Sequence, residues 1–171
     1  SIKGIKHDVI TYDTLINGLF KAGKLDLAMR MYEWLLSSGL EPTSSTFGRL
    51  ICAMCENGQV HAAVDLIKSM RTKGLEPPVW TNDHIISGFC KINLSDEGMA
   101  WLAGMLKDNI RPQRQTFDYL VESLSTSGRL DDVLLVLNIM FKVGFEIGTF
   151  ACTVLAEKPC TSNVSLLPPT G

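Results

Sequence analysis

The chain has 171 residues, 46% hydrophobic and 20% charged, with 16 lysines and arginines against 18 aspartates and glutamates and a formal net charge of −2. That is enough chain to bury a sizeable core without staples, and its longest apolar runs are too short to span a membrane. Five cysteines, an odd number, exclude a complete intramolecular disulfide framework and point to a reduced, intracellular setting.

In chain order, the opening SIKGIKHD shows no signal or transit pattern. Residues 1–8 instead read as the end of a repeat, because KGIKHD aligns with KGLEPP further on, so the true start of the protein is expected upstream. The stretch SGLEPTSSTF returns as KGLEPPVWTN at a spacing of 35 residues, and the register holds throughout. Gly39, Gly74, Asn109 and Gly144 share a column, as do Pro42, Pro77 and Pro112, with Ile147 breaking the series. Further columns are Thr11, Thr46, Thr81, Thr116; Gly23, Gly58, Asn93, Gly128; and Leu35, Met70, Met105, Met140. A fixed period of this length is the mark of a stacked repeat architecture. The full units are 9–43, 44–78, 79–113 and 114–148. Residues 149–171 read as a degenerate partial repeat, TFACTVLAEK, followed by a tail rich in Pro, Ser and Thr.

Each unit predicts a helical hairpin. Thr11 precedes Leu15, Ile16, Leu19 and Phe20, and its hydroxyl is suited to cap the first helix. Gly23 closes that helix in the left-handed conformation. Asp26 then favours the start of a second helix, whose buried stripe is Ala28, Met31 and Leu35. Gly39 ends the second helix, with Leu40 folding back on Leu35 as in a Schellman cap, and Pro42 prevents continuation. A lone hairpin cannot cover its apolar face, so the hairpins must stack. The expected fold is all-α: an α-solenoid of antiparallel helix-turn-helix repeats in a right-handed superhelix with a concave surface.

Several local signals carry no chemistry. Cys52 and Cys55 form a C-x-x-C, but Cys55 and Cys90 share the column of Phe20, so both read as packing residues, and no second pair completes a metal site. His7, His61 and His84 all lack the following x-Glu of a nucleobase deaminase. His61 stands at a helix start, in the column of Asp26, Asp96 and Asp131. Asn163-Val-Ser is a chance glycosylation match, and Trp101 is core. No catalytic residue, cofactor, metal or small-molecule substrate is expected.

With VITYDTLINGLFKAGKLDLAMRMYEWLLSSGLEPT as the clearest copy, the chain resembles the pentatricopeptide repeat (PPR) family, in its purely repetitive class, and within it a C-terminal fragment of a longer protein. Tetratricopeptide repeats have a period of about 34 and a Trp and Leu-Gly pattern missing here. The resemblance implies a non-enzymatic protein of the mitochondrion or chloroplast, binding single-stranded RNA one base per repeat in RNA processing, stability, splicing or translation. It also implies the site. The fifth and last residues of a unit face one base: Asp13 with Thr43, Gly48 with Pro78, Asp83 with Gln113, Asp118 with Gly148. The second residue packs on bases: Ile10, Ser45, Trp80, Gln115. Lysine at the thirteenth contacts phosphate: Lys21 and Lys91, with Glu56 and Thr126 in the same column.

The fifth-and-last pairs depart from the family's usual Asn, Thr or Ser with Asp, Asn or Ser. An ionised Asp only accepts hydrogen bonds, so it would favour guanine or an exocyclic amino group, whereas Gly48 and Pro78 offer no side-chain bond. Asp13, Asp83 and Asp118 are expected to point into the concave groove. Trp80 has two readings, a base stack or packing between adjacent first helices. The acidic balance lacks the basic footprint of general RNA affinity. A second function therefore stands beside RNA binding: a protein-interaction scaffold, such as a subunit of an organellar ribosome or processing complex.

Overall fold

Asp8 opens the first helix. Its backbone is extended, its side chain accepts from Thr11 N at 2.8 Å, and α1 then runs Val9–Lys21. In the computed structural model, which describes residues 8–146, α2 is Leu25–Ser37, α3 Ser44–Glu56, α4 Val60–Thr72, α5 Thr81–Lys91, α6 Ser95–Lys107, α7 Arg114–Thr126 and α8 Leu130–Lys142. No strand occurs among the described residues. The leading fragment, Gly148 and residues 149–171 lie outside them, apart from Asp8.

The helix ends follow from the repeated glycines. Leu40, Leu75, Ile110 and Phe145 each donate a backbone N–H to the carbonyl of Leu35, Met70, Met105 and Met140, at 2.8–3.3 Å. This is the long bond of a Schellman motif. It requires a left-handed residue just past the helix, and Gly74 (φ 72°) and Asn109 (φ 56°) both supply it. The first helices close in the same way, Lys24 N reaching Leu19 O and Gln59 N reaching Met54 O at 2.9 and 2.8 Å.

The helix starts differ from the sequence reading. The cap is the last residue of the preceding unit, not the threonine column: Asp8 caps α1 and Thr43 caps α3, while Thr11 and Thr46 lie three residues inside. Thr46 completes a capping box, its hydroxyl accepting from Thr43 N at 3.1 Å. The reason is geometric, since a side chain reaches the free amides only from an extended position ahead of the first turn. Pro78, which shares the column of Asp8 and Thr43, has no such side chain. Val79 and Trp80 form a turn instead, and the helix begins two residues late, at Thr81, which bonds back to Pro78 O at 2.6 Å.

Each first helix packs against the second helix of its own hairpin and against the first helix of the next, in the series α1, α3, α5, α7. The second helices make no comparable contacts with one another among the described residues; α4 and α6 rest on the following first helix. Closer approach on the first-helix side makes that layer the inner, concave one of a solenoid. The core lies between the layers and runs through repeat boundaries: Phe47, Ile51, Val60, Ile67 and Ile85 in one group, Ile86, Leu102, Phe117, Leu120 and Val136 in the next. The second-helix stripe predicted on Ala28, Met31 and Leu35 buries Ala28 and Leu35 completely. Trp101 is half-buried against both groups.

Candidate nucleic-acid interface

The fifth and last positions of a unit meet in space because the last residue is also the cap of the next first helix. Thr43 Oγ1 donates to Asp13 Oδ2 at 3.0 Å, and the Thr46 hydroxyl donates to Asp13 Oδ1. Asp83 Oδ1 accepts from Gln113 N at 3.1 Å and from the Thr116 hydroxyl. Gln113 has no side-chain cap of its own, so Asp83 serves α7 as a cap supplied by the neighbouring repeat. Both carboxylates are half-buried and hold acceptor bonds inside the protein. An ionised carboxylate has about four acceptor positions, so each keeps capacity for a further donor. Asp118 is half-buried on α7, and Gln113 is exposed.

Repeat two is built differently. Gly48 is buried, and a Cβ placed on it would come within 2.8 Å of Trp80 Cη2 and 2.9 Å of Pro78 Cγ. The Trp80 ring therefore covers the fifth position of the repeat before it, which is the packing reading of this residue. It stays 39% exposed, and its ring stands nearly perpendicular to that of His84, at 6.1 Å between centroids. The other second-position residues, Ile10, Ser45 and Gln115, are exposed.

Two cavities open along the first-helix layer. One, of about 390 Å³, lies among α1, α3 and α5, with Lys21, Arg49, Glu56, Trp80 and His84 in its wall. The Arg49 guanidinium donates to Asn17 Oδ1, and its Nε is buried without a partner. Burial lowers the pKa of His84, aided by Lys91 and opposed by Glu56 and Asp83, so its imidazole is neutral near pH 7. The second cavity, of about 310 Å³, lies between α5 and α7 and includes Lys91, Tyr119, Glu122 and Thr126. Lys21 and Lys91 are exposed, and neither enters an ion pair among the described residues. Arg49 is the groove cation that position-by-position reasoning missed. Its signal was the sixth column, Thr14, Arg49, His84 and Tyr119, in which one residue is charged.

Cys52 and Cys55 do not form a reactive pair. Burial, with Cys55 and Glu56 adding to it, pushes the Cys52 thiol up, and burial pushes Cys55 up to about 12 and Cys90 up to about 11. Such thiols stay protonated at neutral pH and are poor nucleophiles and ligands.

Residues 7–51 and 44–91 match the model of the PPR repeat family, and residues 84–110 match that of the PPR repeat. No curated protein matches the sequence. Among solved structures, the chain superposes on PPR10 in complex with an 18-nt psaJ RNA element with a TM-score of 0.73 and 21% identity, over 91% of this chain and 23% of that one. PPR10 from maize gives a TM-score of 0.69 at 19% identity, over 90% of this chain and 22% of that one. The PPR domain of Arabidopsis thaliana protein-only RNase P 1, in complex with tRNA, gives 0.74 at 16% identity, over 90% of this chain and 81% of that domain. The chain thus spans about a quarter of the length of PPR10. Matched by repeat models over more than half its length and folded as stacked helical hairpins, it belongs to the PPR repeat family.

Proposed function

We propose that this segment is a non-catalytic module for single-stranded RNA, working in organellar RNA processing, stability, splicing or translation, in a mitochondrion or chloroplast. The observation that carries the reading is the cavity at which Lys21, Arg49 and the partly exposed Trp80 meet on the concave layer. Cations beside an aromatic ring serve the two needs of a single strand, neutralised phosphate and a surface for a base. The RNA held by PPR10 and the tRNA held by the RNase P domain support the same class of partner. Base preference rests on Asp13, Asp83 and Asp118 in the fifth column with Thr43, Gln113 and Gly148 in the last. Repeat two, with Gly48 under Trp80 and Pro78 beside it, contributes stacking and, through these two columns, no readout. Ile10, Ser45 and Gln115 border bases, and Lys91 meets phosphate. Titrating the chain with the four homopolymer RNAs at fixed low salt, against a duplex of equal length, tests the proposal. Single-strand binding above duplex binding is expected, and equal weak binding to all would refute it.

A scaffold for a protein subunit is favoured by different facts. The carboxylates of Asp13 and Asp83 already hold the repeats together, and acidic residues outnumber basic ones by 18 to 16. In that reading the groove receives a basic segment of an organellar ribosomal or processing partner, and Asp83→Asn weakens that partner while RNA binding is weak before and after.

A further inference from the structure

Gly48 and Pro78 leave the second unit without a side-chain hydrogen bond at its fifth and last positions. The residue after Gly48 is Arg49. Its Nη1 donates to Oδ1 of Asn17, on the first helix of the preceding unit, so the guanidinium bridges the boundary between the first two repeats. Its Nε is enclosed, whereas Nη2 is neither enclosed nor hydrogen-bonded among the described residues. Asn17 uses its oxygen on Arg49, which leaves its Nδ2 as a further donor beside the guanidinium. Both residues line the cavity of about 390 Å³ among α1, α3 and α5. At the next two boundaries the same columns hold Cys52 with His84 and Ser87 with Tyr119, and neither pair brings a guanidinium.

The wall separates a base from a phosphate as the occupant. Glu56 stands seven residues beyond Arg49, about two turns along the same face of α3, and it too lines the cavity. Its carboxylate opposes an anion held between them and leaves a neutral ring unopposed. Phe20, Ala53 and Trp80 supply apolar wall for such a ring, while exposed Lys21 remains for phosphate. The donors then choose among the bases. Every base carries a donor on its Watson–Crick edge, which would face a donor here. On the opposite edge adenine sets a donor beside its N7, cytosine shows a donor, uracil shows one acceptor, and guanine alone shows two acceptors, N7 and O6.

We infer that Arg49, steadied by Asn17, reads a guanine through N7 and O6 at the boundary of the first two repeats, supplying the selection that Gly48 and Pro78 cannot. The assignment rests on the single-stranded RNA reading above. It uses the edge of guanine opposite to the one an aspartate of the fifth column would use, since a carboxylate needs the hydrogens on N1 and N2.

Fluorescence-anisotropy titrations with short uridine strands of equal length test it, each strand carrying uridine, guanosine, 7-deazaguanosine or inosine at its centre. 7-Deazaguanosine lacks N7 and keeps the hydrogens on N1 and N2, whereas inosine keeps N7 and O6 and lacks the N2 amine. The guanosine and inosine strands are expected to bind about tenfold tighter than the 7-deazaguanosine strand, within the worth of one bidentate contact to a base. Arg49→Lys keeps the charge without the fork of donors and should close the gap between guanosine and 7-deazaguanosine. The comparison of strands on the wild type stands whether or not that variant folds. Guanosine and 7-deazaguanosine bound equally, and both above uridine, would give the preference to the aspartates and overturn the role of Arg49. A gap that survives in Arg49→Lys overturns it as well. Uridine strands that bind with no gain for guanosine overturn this assignment and leave the RNA reading standing, whereas failure of every strand to bind removes both.

Discussion

Asp83 belongs to the first helix of the third repeat, yet its Oδ1 accepts the backbone N–H of Gln113, at the start of the fourth, at 3.1 Å. Asp13 holds the same place toward Thr43 and Thr46. The start of α7, which Gln113 leaves without a side-chain cap, is thus closed from the repeat before it, and the closing group stands in the column expected to read bases. The side chain that holds the interface between repeats is the one that the family resemblance assigns to base reading.

Asp83→Ala is therefore expected to destabilise the fold by about 1 kcal/mol, the usual worth of a helix N-cap. Asp83→Asn should cost less, because its amide oxygen still accepts. Denaturant unfolding of the two variants checks this, and identical losses would mean that the acceptor at Asp83 contributes nothing.

Gly48 carries a prediction of the opposite kind. Any side chain there meets Trp80 and Pro78 inside 3 Å. Gly48→Ser should cost about 1–3 kcal/mol by overpacking, and much of that loss should vanish when Trp80→Ala clears the space. A double-mutant cycle measures the coupling, and additive losses would show that Trp80 does not lie over Gly48 in solution.

Gly74 sits at φ 72°, where a β-branched side chain is strained. Gly74→Val should destabilise by about 1 kcal/mol or more. Asn109→Gly, at the same place one repeat later, should be nearly neutral by comparison. A stability unchanged in Gly74→Val would place Gly74 outside the left-handed region.

The hairpins and the ends of their helices were legible in the sequence because each depends on residues within one period. A left-handed Gly or Asn and the apolar pair Leu35 and Leu40 lie five residues apart and recur in phase. The helix starts were misread because the threonine column is more regular than the capping column, Asp8, Thr43, Pro78 and Gln113, whose chemistry changes from unit to unit. The carboxylate bonds of Asp13 and Asp83 were hidden for another reason, that their partners lie 30 and 33 residues away and column position does not give side-chain direction. Trp80 could be placed on the groove, but its cover over Gly48 needs the turn that Pro78 imposes.

His84 gives the fold a pH response. Its pKa is lowered from the ordinary 6.5, first by burial, so just below that value the folded state binds fewer protons than the unfolded chain. Its contribution to stability is complete above pH 6.5 and is lost as the pH falls through that value toward the lower folded pKa. Unfolding free energies measured between about pH 8 and pH 5 should fall less in His84→Gln than in the wild type. The same decline in both would assign the acid sensitivity to other groups.

The sharpest test of the groove is its salt dependence. Lys21 and Lys91 are exposed in the same column of two first helices, with Glu56 between them in sequence phase. If each neutralises one phosphate, the double variant Lys21→Ala/Lys91→Ala releases fewer counterions on binding. The slope of log K against log salt should then flatten by about 0.7 per lysine for a single strand. Because phosphates carry no sequence, the loss should be the same factor for all four homopolymers. Glu56→Gln should act the other way, strengthening all four by a common factor, since it removes the negative charge between the two cations. A variant slope equal to that of the wild type would take the lysines out of the path of the strand. A loss confined to one base would mean that they touch a base edge, and would move the phosphate path toward Arg49.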